Sequence, residues 1–235
     1  MDIIQDHIAP SRRNRPSTNP KSSRYKIIIP PKYITIHNAW SPWDAKGLNN
    51  YQKGDAAASR PASWHLSICD KYIVQGIPFG ETAWHAGDYQ NVANPGVGNT
   101  ESIGIEICDF YNSSTKRNDQ ARYLKAEAHC IKLVAYLIGT VSSLLPFPQC
   151  VVPHKKWRAA SGCPSRILGR PNGWQEFISK VEEYLKVADD TKPIDPNLYY
   201  RVIVGSYQNR ANADRALAEA KAKGFKDAFI VAFRK

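Results

Sequence analysis

No two cysteines in this chain stand at CxxC spacing, and the five present (Cys69, Cys108, Cys130, Cys150 and Cys163) are odd in number and widely spread. That excludes a zinc ribbon and a disulfide scaffold, and points to reduced thiols. No apolar run approaches the ~20 residues that cross a bilayer, so membrane insertion is not expected. The opening residues, Met1-Asp2-Ile3-Ile4-Gln5-Asp6-His7, lack the positive start and apolar stretch of about 7–15 residues that mark a secretory signal. The expectation is synthesis in the cytoplasm without a signal peptide, with any action outside following release by other means. Internal repeats are also missing, which excludes solenoids and propellers. Acidic residues are in deficit: 21 Asp plus Glu face 32 Lys plus Arg, a net charge of +11. Such an excess favours an anionic partner, whether nucleic acid, anionic lipid or a wall polymer. No helical segment pairs a basic face with a base-reading motif, so nucleic acid is not the expected partner.

What is present is ordinary globular material. The 235 residues are 43% hydrophobic and 23% charged, enough for one sizeable core plus a small module. Residues 1–25 are polar, basic and proline-containing, and read as an N-terminal arm. Tyr33-Ile34-Thr35-Ile36-His37 alternates as a strand does. Trp64 to Cys69 and Tyr72 to Gln75 flank Asp70-Lys71 as the arms of a hairpin would. Ser102 to Cys108 reads as a strand with Gly104, Glu106 and Cys108 on one face. Asn118 or Asp119 can cap a helix running to about Leu145, with Leu124, Ala128, Ile131, Ala135 and Ile138 as its apolar stripe. Trp174 to Val187 reads as another amphipathic helix. Strands interleaved with helices predict an α/β domain over residues 26–187. Residues 188–198 have linker composition, and 199–235 read as a compact βαβ module: strand Tyr200–Tyr207, helix Asn212–Lys223, strand Ala228–Phe233. Asn212 is the expected N-cap there, and Gly224 the C′ residue.

His37, His154 and Cys163 are potential ligands at a strand end or in loops, the last two nine positions apart. Two imidazoles and a thiolate suit tetrahedral zinc with one open position, the mark of a catalytic site. His129 and His7 carry no ligand-spaced partner, and the other four cysteines read as small buried hydrophobes.

The segments Tyr33-Ile34-Thr35-Ile36-His37-Asn38, Ser63-Trp64-His65, Gln75-Gly76-Ile77-Pro78, Ala83-Trp84-His85-Ala86-Gly87-Asp88, Ser102 to Cys108, His154-Lys155-Lys156-Trp157 and Gly162-Cys163-Pro164 resemble, in order, the zinc N-acetylmuramoyl-L-alanine amidases. This is the type found in phage endolysins and bacterial autolysins. The resemblance implies a central mixed β-sheet flanked by helices, with a zinc site in a surface cleft. It implies His37, His154 and Cys163 as zinc ligands and Glu106 as catalytic carboxylate, accepting a proton from the attacking water and passing one to the leaving amine. It implies Trp84, His85, His65 and Ser161 as substrate-facing or second-layer residues. Relatives commonly carry Lys where Ser161 stands, leaving Ser161, a backbone N–H, Lys156 or Arg158 to stabilise an oxyanion. Residues 200–225 resemble part of a SPOR repeat, a peptidoglycan-binding module; residues 199–235 hold 8 Lys plus Arg and 3 Asp plus Glu, +5 of the charge. The implied partner is peptidoglycan and the implied role that of an endolysin. A non-catalytic peptidoglycan-recognition protein and a cytoplasmic muropeptide-recycling amidase are the alternatives. A two-stranded tail leaves unpaired edges, so a homodimer through the C-terminal module is expected.

Overall fold

The computed structural model describes residues 2–18, 30–59, 62–87, 97–190, 207–225 and 228–230. The chain divides into two compact units, residues 1–191 and 192–235.

In chain order the larger unit holds β1 (Ile3–Gln5), β2 (Tyr33–Asn38), α1 (Ala45–Lys53), α2 (Asp55–Ser59), β3 (Leu66–Ile68), β4 (Ile73–Gln75), α3 (Val97–Thr100), β5 (Ser102–Ile107), β6 (Tyr111–Asn112), β7 (Arg117–Asn118), α4 (Gln120–Thr140), β8 (Val151–Pro153), α5 (Ser165–Leu168) and α6 (Gly173–Asp190). Six of the strands form one mixed sheet in the order β1-β4-β3-β5-β2-β8. Next to the β8 edge, β2 (Tyr33–Asn38) lies between β5 (Ser102–Ile107) and β8 (Val151–Pro153) and runs parallel to both. β3 (Leu66–Ile68) runs parallel to β5 and pairs antiparallel with β4 (Ile73–Gln75), the expected hairpin. β-branched residues fill these strands because their restricted χ1 suits a pleated surface packed on its neighbours. Ile34 and Ile36 of β2 and Ile103, Ile105 and Ile107 of β5 share the hydrophobic core with Cys130, Leu133, Val134 and Leu137 of α4 (Gln120–Thr140) and with Phe177 and Val181 of α6 (Gly173–Asp190). The opposite alternation carries Thr35 and His37 on β2 beside Gly104 and Glu106 on β5. One sheet thus separates apolar from chemical residues by its two-residue period alone.

The N-terminal segment is no loose arm. Ile3–Gln5 forms β1, parallel to β4 at the sheet edge, and Ile8 is wholly buried with Ile77 and Ala83. Arg15 is buried and grips Glu81 with two hydrogen bonds, 2.8 and 2.6 Å, while its third nitrogen donates to the Ile8 carbonyl. Asn14 is fully buried and donates to the Gln52 and Ala62 carbonyls. Polar composition suggested an arm; those polar groups are instead the tethers.

Asp119 caps α4, its carboxylate accepting from Arg122 N–H. The helix stops at Thr140 rather than near Leu145, because Leu145 N–H donates to the Lys32 carbonyl and Ser143 to that of Pro31. Its buried face runs through Tyr123, Cys130, Leu133 and Leu137; Leu124 and Ala128 of the expected stripe are exposed and border a cleft against α6. The helix α6 continues through residues 188–190, read above as linker, since no proline or glycine intervenes before Pro193.

In the smaller unit the remaining helix (Arg210–Ala222) is capped by Asn209, not Asn212, because the Asn209 side chain accepts from Ala211 N–H. Gly224 takes a φ of +99°, the left-handed conformation expected at C′. Ala228–Ile230 form no strand; residues 200–206 and 231–233 of the expected strands, with the pairing that a tail dimer would need, lie outside the described residues.

Candidate metal centre and catalytic carboxylate

His37 ends the chemical face of β2, and parallel register sets it directly across from Glu106 on β5. The two strands place His37 Nδ1 and Glu106 Oε1 3.9 Å apart. After β8 the chain turns into a 3₁₀ segment (His154–Lys156), which brings in His154; the following loop returns with Cys163. Candidate ligand atoms of His37, His154 and Cys163 all lie within 4.8 Å of one another. Cys163 Sγ is 3.8 Å from His37 Nδ1 and accepts a hydrogen bond from Asn38 N–H. The loop is closed by Lys155 N–H donating to the Cys163 carbonyl.

Each imidazole is oriented by the nitrogen it does not turn to the centre. His154 Nε2 lies 3.0 Å from the Ala86 carbonyl, which fixes the proton there and leaves Nδ1 a lone pair. His37 Nε2 lies 3.0 Å from His85 Nδ1, and His85 Nε2 lies 3.4 Å from the Ser102 carbonyl. The network assigns a relay: His37 Nε2–H donates to His85, and His85 Nε2–H to backbone. Burial, reinforced by neighbouring imidazoles, drives the His37 and His85 pKa values well below the usual imidazole range. All of this keeps His37 Nδ1 neutral and unprotonated, the form a metal takes.

Glu106 is held on the same face with 15% of its side chain exposed. Burial of its carboxyl pushes the pKa up to about 8. Its Oε2 is buried without a hydrogen-bond partner among the described residues. The Cys163 thiol is likewise pushed up, to about 12, mainly by burial. A carboxylate and a thiolate cannot both be charged in such a place without a cation between them. Two neutral imidazoles, a thiol and an orphaned carboxyl oxygen fit zinc, a borderline ion that takes nitrogen and sulfur and leaves a position open.

The other expected site residues divide. Ser161 is at the centre: its hydroxyl lies 3.4 Å from His154 Nδ1 and accepts from Cys163 N–H, linking the two ligand segments. His85 is not cleft-lining, as the resemblance suggested, but buried behind His37. His65 is not substrate-facing either. It is fully buried, accepting from Gly104 N–H at Nδ1 and lying 2.9 Å from the Glu81 carbonyl at Nε2, so the ring completes the sheet's backbone bonding. Trp84 is partly buried, its backbone N–H donating to Ser63 Oγ. Lys156 sits over the rings of Tyr33 and Trp157, whereas Arg158 lies beside Gly87, and its charge adds to the burial that lowers the His154 pKa.

Three contributors escaped sequence reasoning. Asn38 holds Cys163 by its backbone and the next helix by its side chain, Oδ1 accepting from Arg166 N–H. Arg166 pairs with buried Asp109 at 3.3 Å, pinning the loop that presents Cys163. Gly104 gives His85 its space: a Cβ there would lie 2.7 Å from the ring.

A candidate metal site beside a carboxylate, at the carboxyl ends of parallel strands, is the arrangement of an α/β-type metallohydrolase. The chain matches the N-acetylmuramoyl-L-alanine amidase family over residues 29–166 and the SPOR domain over residues 174–232. It belongs to that amidase family. It is 30% identical to the N-acetylmuramoyl-L-alanine amidase CwlH of Bacillus subtilis, over 83% of this chain and 67% of the relative. It is 37% identical to the amidase CwlA of a Bacillus species, over 72% of this chain and 63% of the relative. Against the catalytic domain of XlyA the TM-score is 0.59 at 32% identity, covering 77% of this chain and 99% of that domain. The solved PlyG catalytic domain gives a TM-score of 0.60 at 30% identity, covering 79% and 96%. The chain spans about three fifths to two thirds of the length of these CwlH and CwlA relatives. The SPOR match starts earlier than residue 200 and takes in α6, whose Phe177 and Val181 are buried in the core of the larger unit.

Proposed function

We propose that the chain hydrolyses the amide joining the lactyl group of N-acetylmuramic acid to L-alanine in peptidoglycan. The observation that carries this reading is the convergence of His37, His154 and Cys163 beside Glu106, within a chain of this family. Zinc held by those three residues would polarise the scissile carbonyl, make water acidic enough to attack near neutral pH, and draw the Glu106 pKa down toward working range. Glu106 then does the proton work: it accepts a proton from the attacking water and returns it to the departing alanine nitrogen. Its orphaned Oε2 is free to make those hydrogen bonds, and its position across from His37 keeps it within reach of the reacting centre. Asn38 N–H stabilises the sulfur in its charged form, and Ser161 holds the Cys163 and His154 segments together. Arg158, whose charge is felt at His154, would meet negative charge developing on the carbonyl oxygen, in place of the family's lysine.

The basic C-terminal unit, matching the SPOR domain, retains the enzyme on the wall. The relatives include a mutant endolysin from Bacillus subtilis, and lysis of a host from within fits the same chemistry. No helix among the described residues is long and apolar enough to cross a membrane. The test is mass analysis of products from purified peptidoglycan. Free stem peptides bearing a new N-terminal alanine are expected; unchanged peptidoglycan from zinc-loaded protein would refute an enzyme and favour a recognition protein.

A further inference from the structure

The loop leaving β2 carries an aromatic side chain that the chemistry so far does not use. Trp40 is 64% exposed, although a buried indole would contribute more to stability. Its φ is +45°, a left-handed conformation that a bulky residue adopts only at a cost. Nor does the side chain wander: its indole N–H donates to Ser165 Oγ at 3.1 Å, and the ring lies 5.1 Å from that of Tyr111 at a tilt of 41°. Tyr111 is in turn fixed by its N–H donating to the Ser41 carbonyl. A strained, aimed and exposed indole has the character of a binding residue rather than a packing one.

Its neighbours fix where it stands. Trp40 is three residues past His37, so the two Cα atoms lie no more than about 11 Å apart, and its anchor Ser165 is two residues past Cys163. Trp40 is therefore rooted beside two of the ligand segments, just past the carboxyl end of β2, the end of the sheet at which α/β folds receive ligands. On the reading above, the cleaved bond hangs from a sugar, so a sugar must lie beside that centre. The C–H-bearing face of a pyranose, weakly positive, matches the negative face of an indole.

We propose that Trp40, backed by Tyr111, is a saccharide subsite that takes a pyranose of the glycan strand next to the muramyl residue whose amide is cut. The inference rests on the proposed amidase activity and deepens it. The subsite acts on polymeric substrate and is idle on a substrate with one sugar.

The test compares Trp40→Ala, Trp40→Phe and Trp40→Gly with the wild-type full-length protein, zinc-loaded. Two substrates are used: N-acetylmuramoyl-peptide with one sugar, and soluble glycan chains carrying the same peptide. Trp40→Ala is expected to lose about tenfold in kcat/KM on the glycan chains, mostly through KM, and to match wild type on the one-sugar substrate. Trp40→Phe keeps a flat face and recovers most of the loss. Trp40→Gly relieves the backbone strain, so it melts at or above the wild-type temperature while sharing the tenfold loss; this separates binding from folding. Equal rates of wild type and Trp40→Ala on both substrates, or equal losses on both, would overturn the subsite alone. Wild-type protein that releases peptide from neither substrate would overturn the amidase reading instead.

Discussion

A single methyl group placed at Gly104 tests whether the relay behind His37 matters. The Cβ of a Gly104→Ala variant would lie 2.7, 2.8 and 2.9 Å from Cγ, Cδ2 and Nδ1 of His85. Carbon contacts settle near 3.5–4.0 Å, so the ring must retreat by roughly 1 Å. It has little room: His37 is on one side, Ser102 on another, and the His65 ring centroid is 5.8 Å away. Overpacking of this kind costs about 1–3 kcal/mol. Replacing glycine in a strand returns about 0.5–1 kcal/mol of backbone entropy. The steric term wins, and a net loss of about 0.5–2 kcal/mol is expected in urea unfolding of metal-free protein. The displaced atom is the acceptor for His37 Nε2–H, so zinc affinity falls as well, by about 10–100-fold if His85 behaves as outer-layer partners of metal-bound histidines do. Competition with a chromophoric chelator measures that. A His85→Ala background supplies the decisive control: with no ring to strike, the methyl costs nothing and its penalty disappears. Wild-type stability and affinity in Gly104→Ala, or an unchanged penalty in the His85→Ala background, would refute the relay.

Four further outcomes are expected. Cys163→Ser loses retained zinc and wall lysis together, since a hydroxyl is a poor substitute for a thiolate; near-stoichiometric zinc with full activity would remove Cys163 from the ligand set. Glu106→Gln keeps zinc and fold but loses about 10²-fold or more of the peptide-release rate, the scale of a positioned acid–base group; retention of half the rate would make Glu106 structural. Arg15→Ala strands buried Glu81 and lowers stability by about 3 kcal/mol, while joint replacement with Glu81→Leu in Arg15→Met costs less than Arg15→Ala; equal or larger cost in the double variant contradicts a buried pair. His65 has its pKa held down to about 4 by burial, so as pH falls from about 6.5 the unfolded chain takes a proton that the folded one refuses. Its contribution to stability is full above pH 6.5 and is lost by pH 4, so the advantage of wild type over His65→Gln shrinks by about 3 kcal/mol across that window; a constant difference would refute it.

The convergence of the three candidate ligands was legible because their residue types are chemically restricted and their segments keep a recognisable order. The strands were legible because Ile34, Ile36, Ile103 and Ile105 obey a two-residue period that burial on one face enforces. Roles that depend on which side of a ligand a residue stands were not. His85 and His65 both sit in segments that resemble the family's, yet one orients His37 and the other mends the sheet's bonding. Nothing local distinguishes them, because both partners are supplied by distant segments. The N-terminal segment misled for a similar reason: Asn14 and Arg15 look solvent-bound until Glu81 and two distant carbonyls claim them. Leu124 and Ala128 fell on the wrong face because a 3.6-residue period admits neighbouring stripes, and only the position of α6 selects between them.

The two outer strands of the sheet have a consequence for self-association. Any open sheet invites further chains to add at its rims. Here β8 contributes three residues and ends in Pro153, whose nitrogen can donate nothing. At the other rim β1 is equally short, and it covers Ile73–Gln75 of β4. A fragment beginning at residue 29, where the family match begins, would strip off that guard strand and uncover the fully buried Ile73 and Val74. Such a fragment could keep every residue of the metal centre and still polymerise through its bared edge.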